Sequence, residues 1–334
     1  MIALFAILLL CFDECETSTF LATKTTFFYN QIQVVNLLRK PVVSLERKWV
    51  VRLKRKLVVN FAVFSNYSKV IEICPNEATS YYKRASLEYK IVTYKYDYAL
   101  RKYLNEAIED YTRAIVLDSN YFDAFVGRGN AKMRIYNNIG AIEDLSKAIE
   151  INPNQSFVYF RRGVAKYDLK DYIGSLDDFN RSPNSYKMRA RCKAKLEDFA
   201  GALDDCSKEI ERLRKSAFYV SPSSLESAYL ERANVKLLIN DLSGAIEDFS
   251  IAIEIFPNEN AEAYLERGNV KLLINDFEGA IIDFSKAIEC DKNYAIAYKN
   301  RGNAKKAIGD SVGAKRDFNK FSNINSKHGN RSNL

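Results

Sequence analysis

Apolar and polar positions alternate along most of this chain with the period of an amphipathic helix. Between Ala261 and Asp291 the sequence reads AEAYLERGNVKLLI, then ND, then FEGAIIDFSKAIE. Apolar residues recur three and four apart on both sides of the break, as Ile281, Phe284 and Ile288 do. That spacing places them on one helical face. It predicts two helices joined at Asn275–Asp276, a pair suited to a turn followed by a helix cap. Pro153 and Pro257 follow other second helices, where no amide donor is needed.

The pattern is written more than once. Ala228–Phe256 returns at an offset of 35 residues, starting at Ala263, with 22 of 29 positions identical. Aligning on a small residue in the second helix extends the series to Ala107, Ala141, Ser175, Ala202, Ala245, Ala280 and Ala314. Twelve residues before six of these stand Gly129, Gly163, Ala190, Ala233, Gly268 and Gly302; the counterpart for Ala107 is Ala85. A large side chain follows four residues after the anchor, as in Tyr111, Phe179, Phe249, Phe284 and Phe318. Glycine inside a helix costs about 1 kcal/mol against alanine, so its return at one phase predicts close helix–helix approach. A lone helix pair of this size cannot bury its apolar face, whereas stacked pairs cover one another. The chain therefore predicts an array.

A 34-residue helix–turn–helix with aromatic, small, small, large, Ala and Pro at fixed spacing resembles the tetratricopeptide repeat. In 122–155 those positions are Phe125, Gly129, Ala141, Leu145, Ala148 and Pro153. In 261–294 they are Tyr264, Gly268, Ala280, Phe284 and Ala287, with Lys292 where proline is usual. Seven units fit between Ala78 and Ser326, and NYSKVIEICPNEA ahead of them ends as a second helix does. The resemblance implies an all-α, right-handed solenoid of antiparallel helix pairs. Three units depart from the pattern. The first has an enlarged turn (KIVTYKYDYALRKY), the third lacks about seven residues after Phe179, and the fourth carries about nine extra before Glu226. The organisation expected is an N-terminal apolar and basic segment (1–74), units one to four (75–215), an irregular seam (216–225), units five to seven (226–326) and a polar tail (327–334).

A charged ladder runs through the repeats. Arg84, Arg128, Arg162, Arg189, Arg232, Arg267 and Arg301 precede the first small position. Asp110, Asp144, Asp178, Asp205, Asp248, Asp283 and Asp317 follow the second by three residues, and six units add Lys132, Lys166, Lys193, Lys236, Lys271 and Lys305. Matched acids at fixed phase predict a structural ion-pair ladder between adjacent helices rather than a phosphate-binding stripe.

By resemblance, partners lie in the concave groove lined by the first helices. The matching positions are Leu230, Asn234, Leu237 and Leu238; Leu265, Asn269, Leu272 and Leu273; then Lys299, Asn303 and Lys306. Asparagine at one phase could hydrogen-bond an extended peptide backbone while the leucines provide apolar contact. Some members of this family clamp a C-terminal carboxylate with Lys or Asn on three successive first helices. Here Glu266 and Arg161 replace the middle Asn, and Glu266 would repel such a carboxylate.

Composition adds exclusions. The formal charge is +8, yet residues 1–74 hold ten basic and five acidic side chains, so the repeats are nearly neutral. Six scattered cysteines (Cys11, Cys15, Cys74, Cys192, Cys206 and Cys290) form no CxxC pair, and the single histidine is His328. A metal site or a histidine base therefore lacks candidates. No GxxxxGK[ST] stretch occurs either. The expectation is no catalysis, no cofactor, no metal and no small-molecule substrate.

At the N-terminus the apolar run Ile2–Phe12 is too short to span a bilayer, which takes roughly 20 residues. It has the length of a signal-peptide core, but no basic residue precedes it and Asp13, Glu14 and Glu16 follow. A cytoplasmic location is favoured, with secretion or membrane attachment as the alternative. The segment LLRKPVVSLERKWVVRLKRKLVVNFAVF, which holds Trp49, reads as a cap on the array or as a membrane-surface helix. The function expected is a scaffold or adaptor that takes a peptide or helix of a partner protein. The rivals are a helical-repeat RNA binder and a membrane-attached assembly factor.

Overall fold

Fifteen helices and no strand make up the described residues of the computed structural model, which are 65–92, 100–216 and 221–329. The expectations for Ile2–Phe12 and the basic segment ending at Phe64 lie outside them. The array lies in the unit 67–334. Helix α1 covers 65–73. Seven pairs follow: α2 (Ala78–Val92) with α3 (Leu100–Leu117), α4 (Phe122–Arg134) with α5 (Asn138–Ile151), α6 (Ser156–Asp168) with α7 (Tyr172–Asn180), α8 (Tyr186–Lys195) with α9 (Phe199–Lys215), α10 (Pro222–Leu238) with α11 (Leu242–Ile255), α12 (Ala261–Leu273) with α13 (Phe277–Cys290), and α14 (Ala295–Ala307) with α15 (Ser311–Gly329). Each helix packs chiefly on its neighbours in sequence, as a stacked array requires.

One turn design recurs inside the pairs. The first helix ends in a left-handed residue: Tyr136, Lys170, Glu197, Asn240, Asn275 or Gly309. The next residue sends its N–H back five positions, as Asp276 does to the Lys271 carbonyl at 2.9 Å, which closes the first helix. The same residue then caps the second helix. Asp276 accepts from the Gly279 N–H at 2.9 Å, and Asn137, Asp171, Asp198, Asp241 and Asp310 do likewise. Glycine three residues into that second helix leaves room for the cap: a Cβ on Gly279 would stand 2.1 Å from the Asp276 carboxylate and displace it.

The small positions work as the spacing predicts. A Cβ on Gly268 would come within 2.7 Å of Phe284, and one on Gly302 within 2.8 Å of Phe318. The second-helix anchors Ala107, Ala141, Ala202, Ala245 and Ala280 are fully buried beneath them. Tyrosine hydroxyls tie three of the pairs to the preceding loop: Tyr81 donates to the Pro75 carbonyl, Tyr264 to Pro257 and Tyr298 to Lys292. Lys292 thus supplies the carbonyl that a proline would supply.

The irregular units have visible consequences. The third has a second helix of nine residues, where α5, α11 and α13 have fourteen. The fourth extends its second helix, α9, to seventeen. Of the expected seam, 217–220 lie outside the described residues. On either side of them Ile210 and Leu213 share one core cluster with Ala228 and Tyr229.

Candidate partner-binding groove

All seven ladder arginines pair with the aspartate of their own unit. Arg267 sends Nε and Nη2 to the two carboxylate oxygens of Asp283 at 2.9 and 2.6 Å, and Arg301 does the same to Asp317 at 2.9 and 2.7 Å. Arg84–Asp110, Arg128–Asp144, Arg162–Asp178, Arg189–Asp205 and Arg232–Asp248 repeat the fork. Planar guanidinium and planar carboxylate match in this geometry.

The third nitrogen reaches a hydroxyl on the preceding second helix. Arg267 donates to Ser250, Arg301 to Ser285, Arg162 to Ser146 and Arg128 to Thr112. Each guanidinium also lies over the ring three residues before it, as Arg267 lies 5.7 Å from the Tyr264 centroid. The Asp178, Asp248 and Asp317 partners hold Arg162, Arg232 and Arg301 above the usual arginine range, against burial. Burial opposes the charged form of Asp317, but hydrogen bonds from Arg301 and Lys305 outweigh it and keep the carboxyl below its ordinary range. These cations are engaged inside the fold, so they do not form a stripe for phosphates.

With the ladder turned inward, the first helices present a different set of side chains on their remaining face. Leu238 and Leu273 are 59% and 68% exposed. Asn234, Lys299, Asn303 and Lys306 are also exposed, while Leu230, Leu237 and Leu272 are half-buried. Leu265 is only 5% exposed and packs in the core cluster with Tyr264 and Phe284. Asn269 is half-buried and already bonded: it donates to Glu266 at 3.3 Å and accepts from Asn300 at 2.7 Å. The structure therefore groups Leu238, Leu273, Asn234 and Asn303 as exposed residues and draws Leu265 into the packing.

Neighbouring first helices are also cross-linked along this face. Arg191 sends Nε and Nη2 to Glu231 at 2.8 and 2.7 Å, and Lys187 donates to Ser227 at 2.6 Å. Both links join α8 to α10 across the fourth unit's insertion. Asn260 donates to Glu226 at 2.7 Å.

Carrying the same helical phase back through the first three units gives a face of another character, which the sequence reading did not follow. It holds Tyr82, Tyr89, Met133, Phe160 and Tyr167, all half-buried, and Phe157, which is exposed. The Tyr82 ring lies 5.1 Å from that of Tyr121, tilted by 40°. Asn130 stands two residues after Arg128, where Asn234 stands after Arg232. Its Oδ1 is buried with no hydrogen-bond partner among the described residues. The missed signal was phase, counted from the arginines.

Among the described residues no group of three or more His, Cys, Asp or Glu could hold a metal ion, and no helix is long and apolar enough to cross a membrane. Cys74, Cys192, Cys206 and Cys290 are free thiols, and burial pushes the Cys206 thiol up to about 12.

A family model described as the tetratricopeptide repeat matches residues 261–294. No curated protein matches the sequence. Among solved structures, the chain is similar to the hetero-tetramer Cut9–Hcn1 of the APC/C, with a TM-score of 0.50 and 12% identity. That match covers 73% of this chain and 46% of the other, so this chain spans less than half of its length. It is also similar to a tetratricopeptide repeat protein from Parabacteroides merdae, with a TM-score of 0.51, 16% identity, and 81% and 99% of the two chains covered. At these identities the likeness is one of fold.

Proposed function

We propose that this chain, which carries a tetratricopeptide repeat at 261–294, is a protein-interaction scaffold, without catalysis of its own, that takes a peptide or helix of a partner in its first-helix groove. The fold supports the general role, and the site comes from one observation. Leu238 and Leu273 stand exposed at the same phase of successive first helices, with Asn234 and Asn303 exposed nearby. Apolar side chains held in such a row, rimmed by polar ones, mark partner surfaces. The asparagines offer both a donor and an acceptor to a peptide backbone.

Nucleic acid is the weaker reading, because the repeats are nearly neutral and the ladder arginines face aspartates. A clamp for a terminal carboxylate is disfavoured by Glu266.

The test is affinity capture with the full chain, with and without nuclease, repeated with Leu238→Ser combined with Leu273→Ser. Burying a leucine is worth about 1.5–3 kcal/mol, so losing two partly exposed ones should weaken capture by roughly tenfold to a hundredfold. Circular dichroism checks that the variant keeps its helices. Loss of the partner on nuclease treatment would favour the RNA reading. Equal recovery by a folded double variant would put the binding site elsewhere.

A further inference from the structure

The first helix pair departs from the other six at one residue of the ladder. Four residues after the arginine stand Lys132, Lys166, Lys193, Lys236, Lys271 and Lys305, each with Nζ 2.8–2.9 Å from its unit's aspartate. On α2 the same position is Glu88. An acid occupies the place where every other unit puts a second cation.

Glu88 is 4% exposed, and its Oε2 has no hydrogen-bond partner among the described residues. Facing it from α3 are Glu106, Glu109, Asp110 and Tyr111, and from its own helix Arg84. Arg84 is bound through Nε and Nη2 to Asp110 at 2.6 and 2.7 Å, so its fork is directed at that carboxylate. On the other sides, α1 brings the Ser68 hydroxyl onto Arg84, while its Lys69 and Glu72 are exposed. The ladder cation of α4, Arg128, is bound to Asp144 and Thr112. Burial first, then the Asp110 and Glu106 charges, push the Glu88 carboxyl up to about 8.

We propose that the first helix pair is a pH-set clamp, closed while Glu88 carries its proton and loosened when Glu88 gives that proton to water. In the open state the side chain is hydrated and titrates in the usual range, near 4.3. Between that value and about 8, the closed state binds more protons than the open one. Closure therefore weakens as pH rises, by up to tenfold per pH unit, and is level outside the window. The other six pairs carry lysine at this position and lack this dependence. Helix α2 bears Tyr82 and Tyr89 on its groove face, so loosening it withdraws the aromatic end of the groove.

Hydrogen exchange of the full chain at pH 6, 7 and 8, corrected for intrinsic rates, tests the clamp. Protection of α2–α3 relative to α12–α13 should fall at least tenfold from pH 6 to pH 8. Glu88→Gln, a neutral isostere, should abolish the slope. Glu88→Lys, which restores the ladder, should abolish it and raise protection of α2–α3. A constant ratio in the natural chain overturns the proposal, and so does an equal fall in Glu88→Gln.

Discussion

The first and sixth helix pairs are built on one set of contacts and differ in sign at its centre. Both hold a buried aspartate in the fork of an arginine that lies over a tyrosine, Arg84 over Tyr81 and Arg267 over Tyr264. In the sixth pair Lys271 adds a second cation, 2.8 Å from Asp283. In the first, Glu88 adds a second acid beside Asp110. The fork is therefore the constant element of the repeat, and the position four residues on can vary. An interior pair sets two cations against one carboxylate, so its buried acid is fully partnered. The first pair is balanced only while Glu88 is neutral.

Removing the aspartate should separate the two pairs most clearly. Asp283→Ala strands two partly buried cations, which typically costs about 3–5 kcal/mol. Asp110→Ala should cost less than half as much, because Glu88 can then ionise and take Arg84 as its partner. Urea unfolding read at amides of each pair measures both, since an array need not unfold as one unit. Equal losses would show that Glu88 does not couple to the fork.

A middle-sized effect is expected from importing the first pair's charge into the sixth. Lys271→Glu would place a carboxyl beside Asp283, raise its proton affinity and make the sixth pair weaken with rising pH. The direction follows from linkage, because the folded state would hold a proton that the unfolded state has released. Local stability at pH 5 and pH 8 should differ by about 1–3 kcal/mol for this variant. A pH-independent loss would mean that the geometry of the second position, rather than its charge, decides the outcome.

Much of this was legible in the sequence. The pairing of Arg267 with Asp283 follows from equal numbers of opposite charges at one helical phase, and Asn275–Asp276 announced the turn and the cap. What stayed hidden depended on neighbours. Leu265 reads as a groove residue by position, but the flanking pairs bring Tyr229 and Tyr298 into the cluster it shares with Tyr264 and Phe284 and close over it. Asn269 reads as free, yet Asn300 from the next first helix reaches it. Phase within one helix cannot report contacts made by the next. Glu88 was visible as the one exception in the lysine series, but its burial was not, since the side that covers it belongs to α3.

The smallest effect concerns the glycine that brings the sixth pair's helices together. A Cβ on Gly268 would sit 2.7 Å from Cε1 of Phe284, so the ring or the helix must shift. Overpacking of that kind costs about 1–3 kcal/mol. Against it, alanine in a helix interior is favoured over glycine by about 1 kcal/mol. The fifth pair has already made the exchange: Ala233 stands at this position, fully buried, with Phe249 also buried in the same cluster. Its sequence is otherwise nearly the same as that of the sixth. Gly268→Ala should therefore change the sixth pair's stability by no more than about 1–2 kcal/mol, and Ala233→Gly should weaken the fifth by about 1 kcal/mol. Both are read by the same amide-resolved unfolding. A loss well above that range for Gly268→Ala would mean that the two pairs, alike in sequence, set their helices at distances that one methyl group cannot bridge.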